Sequence, residues 1–444
     1  MASESHQAIS VIRKAQELIT PAAPTPREIK KLSDIDDQEG LKFNVPSIFF
    51  YKNSPSPEME GKDPVKVIRE ALSKALLFYY PLAGRLVEGH NRKLLVDCSG
   101  EGVLFIEADA DVKLEHFGDE IQVPCPYMDQ LLYNVPGSDG TLGCPLLFIQ
   151  VTRLLCGGFI VGLRFIHTIL DGFGFMQFLK AVEEMTKGAN SPSLTPVWQR
   201  EILNARNPPR ITCSHHEFES VKNSRDIFLN LNPDEIAHKS FYFGPKEIAS
   251  LRHRLPSHLE KCSTFDLITA CLWRCRTIAI EPNPDEIVRL SFTAGFRGKH
   301  YNKLIPPGYY GNAFAYPAIC SKADDLCRNP LEYAVQLVKK MKTEMNEEYI
   351  RSVADLMVTR GRPKHTSEGL FIVSDNSRVG FDEVDFGWGK PVFGGIAGAL
   401  LLISFFIKYQ RRDGEIGIMV PICLPLSTML KFQEEMKKMT KAPM

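Results

Sequence analysis

The chain has 444 residues, 44% hydrophobic and 24% charged, with 53 basic and 53 acidic side chains. That is enough apolar material for more than one core, so two domains are expected. Zero net charge leaves no basic excess for a polyanion, which excludes nucleic acid as a bulk partner while leaving room for a local patch that meets one small anionic ligand.

In chain order, "KDPVKVIREALSKALLFYYPLAGRL" predicts a helix. Asp63 is its N-cap, Pro64 its first residue, and Val65, Ile68, Leu72 and Leu76 its apolar stripe, with Pro81 ending it. "KLLVDC" and "GVLFIEADA" alternate as strands around "SGEG". "PLLFIQVTRLL" and "GGFIVGLRFIH" read as adjacent strands. After "TILDG" the pattern turns helical through "FGFMQFLKAVEEMTKG", closed by Gly188. The proline-rich passage that follows is read as a crossover between units. The expected division is 1–190, a linker at 191–220, and 221–444. Beyond it, "STFDLITACLWRCRTIAI" predicts a helix capped by Ser263, and "IVRLSFTAGFR" a strand. "NPLEYAVQLVKKMKTEMNEEYIRSVADLM" predicts one long helix capped by Asn329 with Pro330 first. A hairpin turning at Asp413-Gly414 and the helix "LSTMLKFQEEMKKMT" complete the chain. Strands and helices mix in both halves, so α/β layers are expected rather than a helical bundle.

The 11 cysteines include no C-x-x-C pair. Cys271 and Cys275, at i and i+4, are read as core neighbours, and reduced thiols imply a reducing compartment. The N-terminus lacks a signal-peptide core. The greasiest run, "VFGGIAGALLLISFFI", is shorter than the roughly 18 residues a membrane helix needs, and it reads as buried strands. A soluble, cytoplasmic protein with no membrane partner is expected.

"FIHTILDGFGF" carries the most chemistry. A histidine followed by an aspartate four residues on is a weak pattern by itself, and a packed core histidine is the commoner case. Here, however, His167 lies where an apolar strand ends and a helix begins, and such junctions project side chains into clefts. A partly buried imidazole there can take a proton from a hydroxyl. Asp171 could orient that base or pair with an arginine elsewhere. Apolar residues beside it, Ile169, Leu170, Phe173 and Phe175, suggest a hydrophobic ligand. "GFDEVDFGWGKPVF" reads as a tight, aromatic-packed loop. No nucleophile elbow, phosphate loop or metal-ligand spacing is present. "SHHEFE" reads as loop or surface, whereas "KSFYFGPKE" and "GFRGKHYNK" offer basic residues for a phosphate.

"HTILDG" and "DFGWG", together with "LSDIDDQEG", "YYPLAGRL", "CSGEGVLFIEADADV", "CGGFIVGLRFIH", "STFDLITACLWRCRT" and "PPGYYGNAF" in that order, resemble the plant BAHD acyl-CoA-dependent acyltransferases over essentially the whole chain. The nearest likeness is to the alcohol acyltransferase branch, which includes benzyl alcohol benzoyltransferase-like enzymes. The resemblance implies two similar α/β domains related to chloramphenicol acetyltransferase, with a solvent channel between them. It implies transfer of an acyl group such as benzoyl or acetyl from CoA to a small hydrophobic alcohol or specialised metabolite, in a ternary complex. Acyl-CoA is then a co-substrate, no cofactor is permanently bound, and the enzyme is a monomer. His167 carries over as general base, and Asp171 as a structural residue paired to an arginine, with Arg297 the candidate. The family usually has an aspartate two residues before that arginine, and Gly295 stands there in this chain. Asp385, Phe386, Gly387, Trp388 and Gly389 carry over as a loop that shapes the channel and supports CoA. An acyl-CoA hydrolase and a non-catalytic binding protein are the alternatives.

Overall fold

The computed structural model describes residues 9–118, 121, 123–220, 226–298 and 304–441. In chain order its main elements are β1 (Val11–Arg13), β2 (Asn44–Tyr51), α1 (Pro64–Ala75), β3 (Val103–Ala110), β4 (Leu147–Arg153), β5 (Phe159–Ile166) and α2 (Gly172–Thr186). The second half adds β6 (Ile236–Phe243), α3 (Thr264–Ile280), β7 (Ile287–Phe292), β8 (Ala318–Lys322), α4 (Leu331–Glu344), α5 (Glu347–Thr359), β9 (Leu370–Asp375), β10 (Phe393–Ile396), β11 (Ile403–Gln410), β12 (Ile416–Pro425) and α6 (Leu426–Thr440). One mixed sheet runs β1-β3-β4-β5-β2-β10, and Glu17–Ile19 also pairs with β3. A second mixed sheet runs β6-β12-β11-β9-β7-β8. Helices cover both, giving the α/β layers expected.

β5 sits between β4 and β2 and is apolar on both faces, which a central strand requires. α2 docks on it through Phe175, whose ring stacks on Phe165 at 4.3 Å. Burying one such aromatic contributes about 1.5–3 kcal/mol. Asp63 caps α1 by accepting from the Val65 amide at 3.2 Å. Ser263 and Asp266 form a reciprocal capping box on α3, which is buried nearly all round. Within α3 the sulfurs of Cys271 and Cys275 lie 4.0 Å apart as packed thiols.

Two expectations need correction. The run from Asn329 is two helices rather than one. Leu331 begins the first, so Pro330 takes the cap position given to Asn329. The chain breaks at Met345, and Asn346 caps α5 by accepting from the Tyr349 amide at 3.1 Å. The break has a packing cause. Leu331, Ala334, Val335 and Val338 of α4 join the core under α3, while Tyr349, Ile350, Val353 and Leu356 of α5 join a separate cluster with Ile35, Phe296 and Tyr309. One straight helix cannot serve both. The span 221–444 is also not self-contained. β10 pairs antiparallel with β2, from Phe393 opposite Phe50 to Ile396 opposite Ser47, and Phe386 and Trp388 belong to the first half's core. The greasy run is indeed strands, β10 and β11.

Replacing Asn346 by Ala removes the cap of α5. Stability should fall by about 1 kcal/mol, read as a lower denaturant midpoint with unchanged slope.

Candidate active site

His167 is the first residue beyond β5. Its amide donates to the Phe43 carbonyl at 2.9 Å, which extends the pairing of β5 with β2 by one step. The turn that follows is tethered from two distant segments. Thr168 Oγ1 donates to the Leu41 carbonyl at 3.0 Å, and Arg200 Nη2 donates to the Ile169 carbonyl at 2.8 Å. The imidazole lies deep in the protein among Phe43, Phe165 and Phe314, with ring centroids 5.3, 6.2 and 5.6 Å away, yet part of it stays open to a cavity. Its Nδ1 is 3.0 Å from Asn312 Oδ1, and Nε2 has no protein partner among the described residues. Burial lowers the imidazole pKa below its ordinary 6.5 and outweighs a bond to the residue's own main chain, the Asp171 charge, the Asn312 bond and the Asp36 charge, which all act the other way.

Asp171 turns away from the imidazole. One oxygen accepts from the Gly174 amide at 2.9 Å and caps α2; the other accepts from the Ala313 amide at 3.1 Å and pairs with Arg297. Arg297 also donates to the Gly311 carbonyl at 2.6 Å. The structure thus brings His167, Asp171 and Arg297 together, with no contact between Asp171 and the ring nitrogens. Gly174 is required here, because a Cβ on it would lie 2.1 Å from the Tyr310 carbonyl oxygen.

The cavity is about 290 Å³ and lies between the two sheets. Phe43, Val45, Phe165 and Phe173 come from the first half, and Phe314, Tyr316, Phe381 and Phe405 from the second. Of the four apolar residues singled out beside the base, only Phe173 lines it; Ile169, Leu170 and Phe175 are core. A second space of about 870 Å³ meets the first at Thr293, Gly295 and Asp375 and carries Arg252, Lys342, Arg378 and Lys408.

The loop Asp385–Gly389 does not line the cavity that holds His167. Trp388 packs edge-on to Phe159 at 5.4 Å and Phe386 against Tyr51 at 5.7 Å. Asp385 accepts from the Gly387 amide at 2.8 Å and pairs with Lys187 at 3.2 Å. Gly387 has φ +107°, and a Cβ there would meet Met59 at 2.6 Å. Gly389, at φ +80°, closes the turn. Val379, Phe381 and Ile396, which flank the loop in sequence, do line that cavity.

Three residues of the site had no role in the sequence reading: Asn312, Asp36 and Arg200. Asp36 and Asn312 stand inside "LSDIDDQEG" and "PPGYYGNAF", stretches that carried the resemblance, so the signal was present without an assignment. Arg200 lies in the stretch read as a linker and is 1% exposed. Within "SHHEFE", His216 is exposed but His215 is buried, which corrects the surface reading. His215 sits between Glu217 at 3.0 Å and Ser352 Oγ at 2.8 Å. That is the order of a hydrolase triad, but Ser352 is 0% exposed and its oxygen already accepts from the Thr212 and Cys213 amides, so no substrate reaches it. No cluster of metal-ligating side chains occurs among the described residues. Residues 299–303 of "GFRGKHYNK" lie outside them.

The comparisons with known proteins decide the family. The model described as the Transferase family matches residues 9–439. Alcohol acyl transferase 1, allele RGb, of Malus domestica is 58% identical over 442 residues, covering 99% of this chain and 97% of the relative. The benzyl alcohol O-benzoyltransferase of Petunia hybrida is 55% identical, covering 98% and 95%. The chain belongs to the BAHD acyltransferase family. Vinorine synthase superposes with a TM-score of 0.72 at 21% identity, covering 98% of this chain and 99% of that one. TRI101 of F. graminearum, solved with coenzyme A and deoxynivalenol, gives 0.71 at 14%, covering 93% and 99%. Membership makes the chain an acyl-CoA-dependent acyltransferase and favours neither the hydrolase nor the binding protein.

Asp171→Ala removes the cap of α2 and strands Arg297. Breaking such a buried pair costs roughly 3–5 kcal/mol, so soluble yield and melting temperature should both fall along with activity. Normal melting with no activity would mean that Asp171 acts on the chemistry instead.

Proposed function

We propose that this BAHD member transfers an acyl group from acyl-CoA to the hydroxyl of a small hydrophobic alcohol within a ternary complex, with His167 as general base. One observation carries the reading. The imidazole is held at Nδ1 by Asn312, while Nε2 is left free beside a cavity walled by aromatic rings. Burial supports it further by keeping the ring neutral near pH 7, the state a base needs. The acceptor hydroxyl gives its proton to Nε2 as its oxygen bonds to the thioester carbon. The tetrahedral oxyanion collapses, the carbon–sulfur bond breaks, and the imidazolium returns the proton to the CoA thiolate. No acyl-enzyme is required.

The four cations of the larger space suit the phosphates of CoA, and its junction with the aromatic cavity suits a pantetheine arm reaching toward His167. The rings of Phe43, Phe173, Phe314 and Phe405 favour an apolar acceptor, in keeping with the benzyl alcohol named for the petunia relative. The reading extends to a monomer, because one chain supplies every residue around His167, and to the cytoplasm, where 11 unpaired thiols persist. No helix among the described residues is long and apolar enough to cross a membrane.

His167→Ala should lower ester formation by at least about 10²-fold while leaving the melting temperature in place. Assays of ester yield with acetyl-CoA or benzoyl-CoA and a panel of alcohols check this. A variant keeping more than about a tenth of the rate would remove His167 as base. The pH dependence has a definite sign. A base whose pKa is lowered stays unprotonated further into acid, so the acidic limb of kcat/KM should have its midpoint below 6.5. A midpoint above that value would contradict a base depressed by burial.

A further inference from the structure

Behind Asn312 lies a fully buried carboxylate, that of Asp36. Its Oδ2 accepts from the amide and hydroxyl of Ser33 at 3.0 and 2.7 Å. Its Oδ1 accepts from the amide of Asn312 at 3.0 Å and from Asn312 Nδ2 at 2.8 Å. Arg200 Nη1 reaches both oxygens, at 3.0 and 3.1 Å. Arg200 in turn lies over the rings of Trp198 and Tyr310, 4.3 and 5.1 Å from their centroids. Three segments far apart in the chain therefore meet one step behind the imidazole.

We propose that Asp36 is a positioning residue for the base. It locks the Asn312 amide in one orientation and so fixes the His167 tautomer with its lone pair on Nε2. The proposal rests on reading His167 as the base.

The argument is one of donors and acceptors. Asn312 Nδ2 faces three groups that only accept: Asp36 Oδ1, the His167 carbonyl at 2.9 Å and the Thr168 carbonyl at 3.2 Å. Rotating the amide by half a turn would set its oxygen against all three. The amide is therefore assigned with Oδ1 toward His167. That oxygen cannot donate, so the 3.0 Å contact requires the proton to sit on Nδ1. A neutral imidazole with Nδ1 protonated carries its lone pair on Nε2. Among the three acceptors, Asp36 makes the shortest bond to Nδ2, bears the negative charge, and alone also takes the Asn312 amide, so it pins main chain and side chain together. Arg200 balances the buried carboxylate, and every group that bonds to it, from Ser33, Arg200 and Asn312, donates to it.

Two measurements test this. The first uses the unaltered protein. Nitrogen-15 labelling at histidine, at about pH 8 where an ordinary imidazole is neutral, separates protonated from unprotonated ring nitrogens, and loss of one signal in His167→Ala assigns it. A protonated Nδ1 and a bare Nε2 are expected; the opposite tautomer overturns the proposal. The second uses Asp36→Asn combined with Arg200→Met, which removes both buried charges at once rather than stranding one. The kcat for ester formation should fall at least about tenfold, as when a partner that orients a ligand is lost. The KM values for acyl-CoA and alcohol should stay within about twofold, and the His167 signal should lose its single tautomer. A folded double variant with wild-type kcat, or a defect confined to KM, overturns the proposal. If that variant does not fold, the wild-type spectrum can still overturn the proposal, because the opposite tautomer leaves Asp36 nothing to fix. His167→Ala retaining activity beside the expected wild-type tautomer would sink the catalytic reading and leave the tautomer assignment standing.

Discussion

The carboxylate of Asp171 accepts from three donors drawn from both halves of the chain: the Gly174 amide in α2, and the Ala313 amide and Arg297 from the second half. Each donor calls for negative charge. A helix N-terminus carries partial positive charge, and a guanidinium carries a full one. An amide side chain could occupy the space but would answer neither field. Asp171 stands four residues after His167, so fixing it fixes the intervening turn. The Thr168 bond to Leu41 and the Arg200 bond to Ile169 complete that turn. The imidazole is placed by bonds made around it rather than to its reactive nitrogen.

Those same carboxylates act on the imidazole as well as on its turn. At 4 Å a bare charge acts with about 4 kcal/mol at an effective dielectric of 20, enough to hold an imidazole protonated near neutral pH. Asp171 and Asp36 each face a guanidinium, yet both still favour the protonated ring. Burial then dominates, and the ring stays neutral. Both aspartates can therefore hold the turn and the Asn312 amide while the imidazole stays unprotonated.

How legible this was depends on sequence distance. His167 and Asp171 could be read because a strand-to-helix junction is a local pattern, and Arg297 because the resemblance supplied a partner. Asn312 lies 145 residues from His167 and Asp36 lies 276 from Asn312, and no periodicity connects them. Arg200 was hidden for a different reason. Its surroundings, "SPSLTPVWQREILNARNPP", are proline-rich and aperiodic and read as linker, although a buried arginine needs only one carboxylate and a few rings to be satisfied. The strands were legible from alternation and apolar runs. The break between α4 and α5 was not, because both helices keep an apolar stripe and only tertiary packing shows that the stripes face different cores.

The crossing of β10 into the first sheet bears on how substrates reach the base. Four register pairs bind β10 to β2, Asp171 is tied to Arg297, and Gly174 packs against the Tyr310 backbone. The two halves are thus clasped at more than one place. Opening the cleft as a hinge would break ladder bonds and a buried ion pair together, at a cost comparable with the roughly 5–15 kcal/mol that stabilises a whole domain. Entry through fixed mouths is the cheaper route. One such passage joins the cavity to the larger, cationic space at Thr293, Gly295 and Asp375. No atom lies within 4 Å of where a Cβ on Gly295 would stand. The glycine adds no side chain where the two spaces meet.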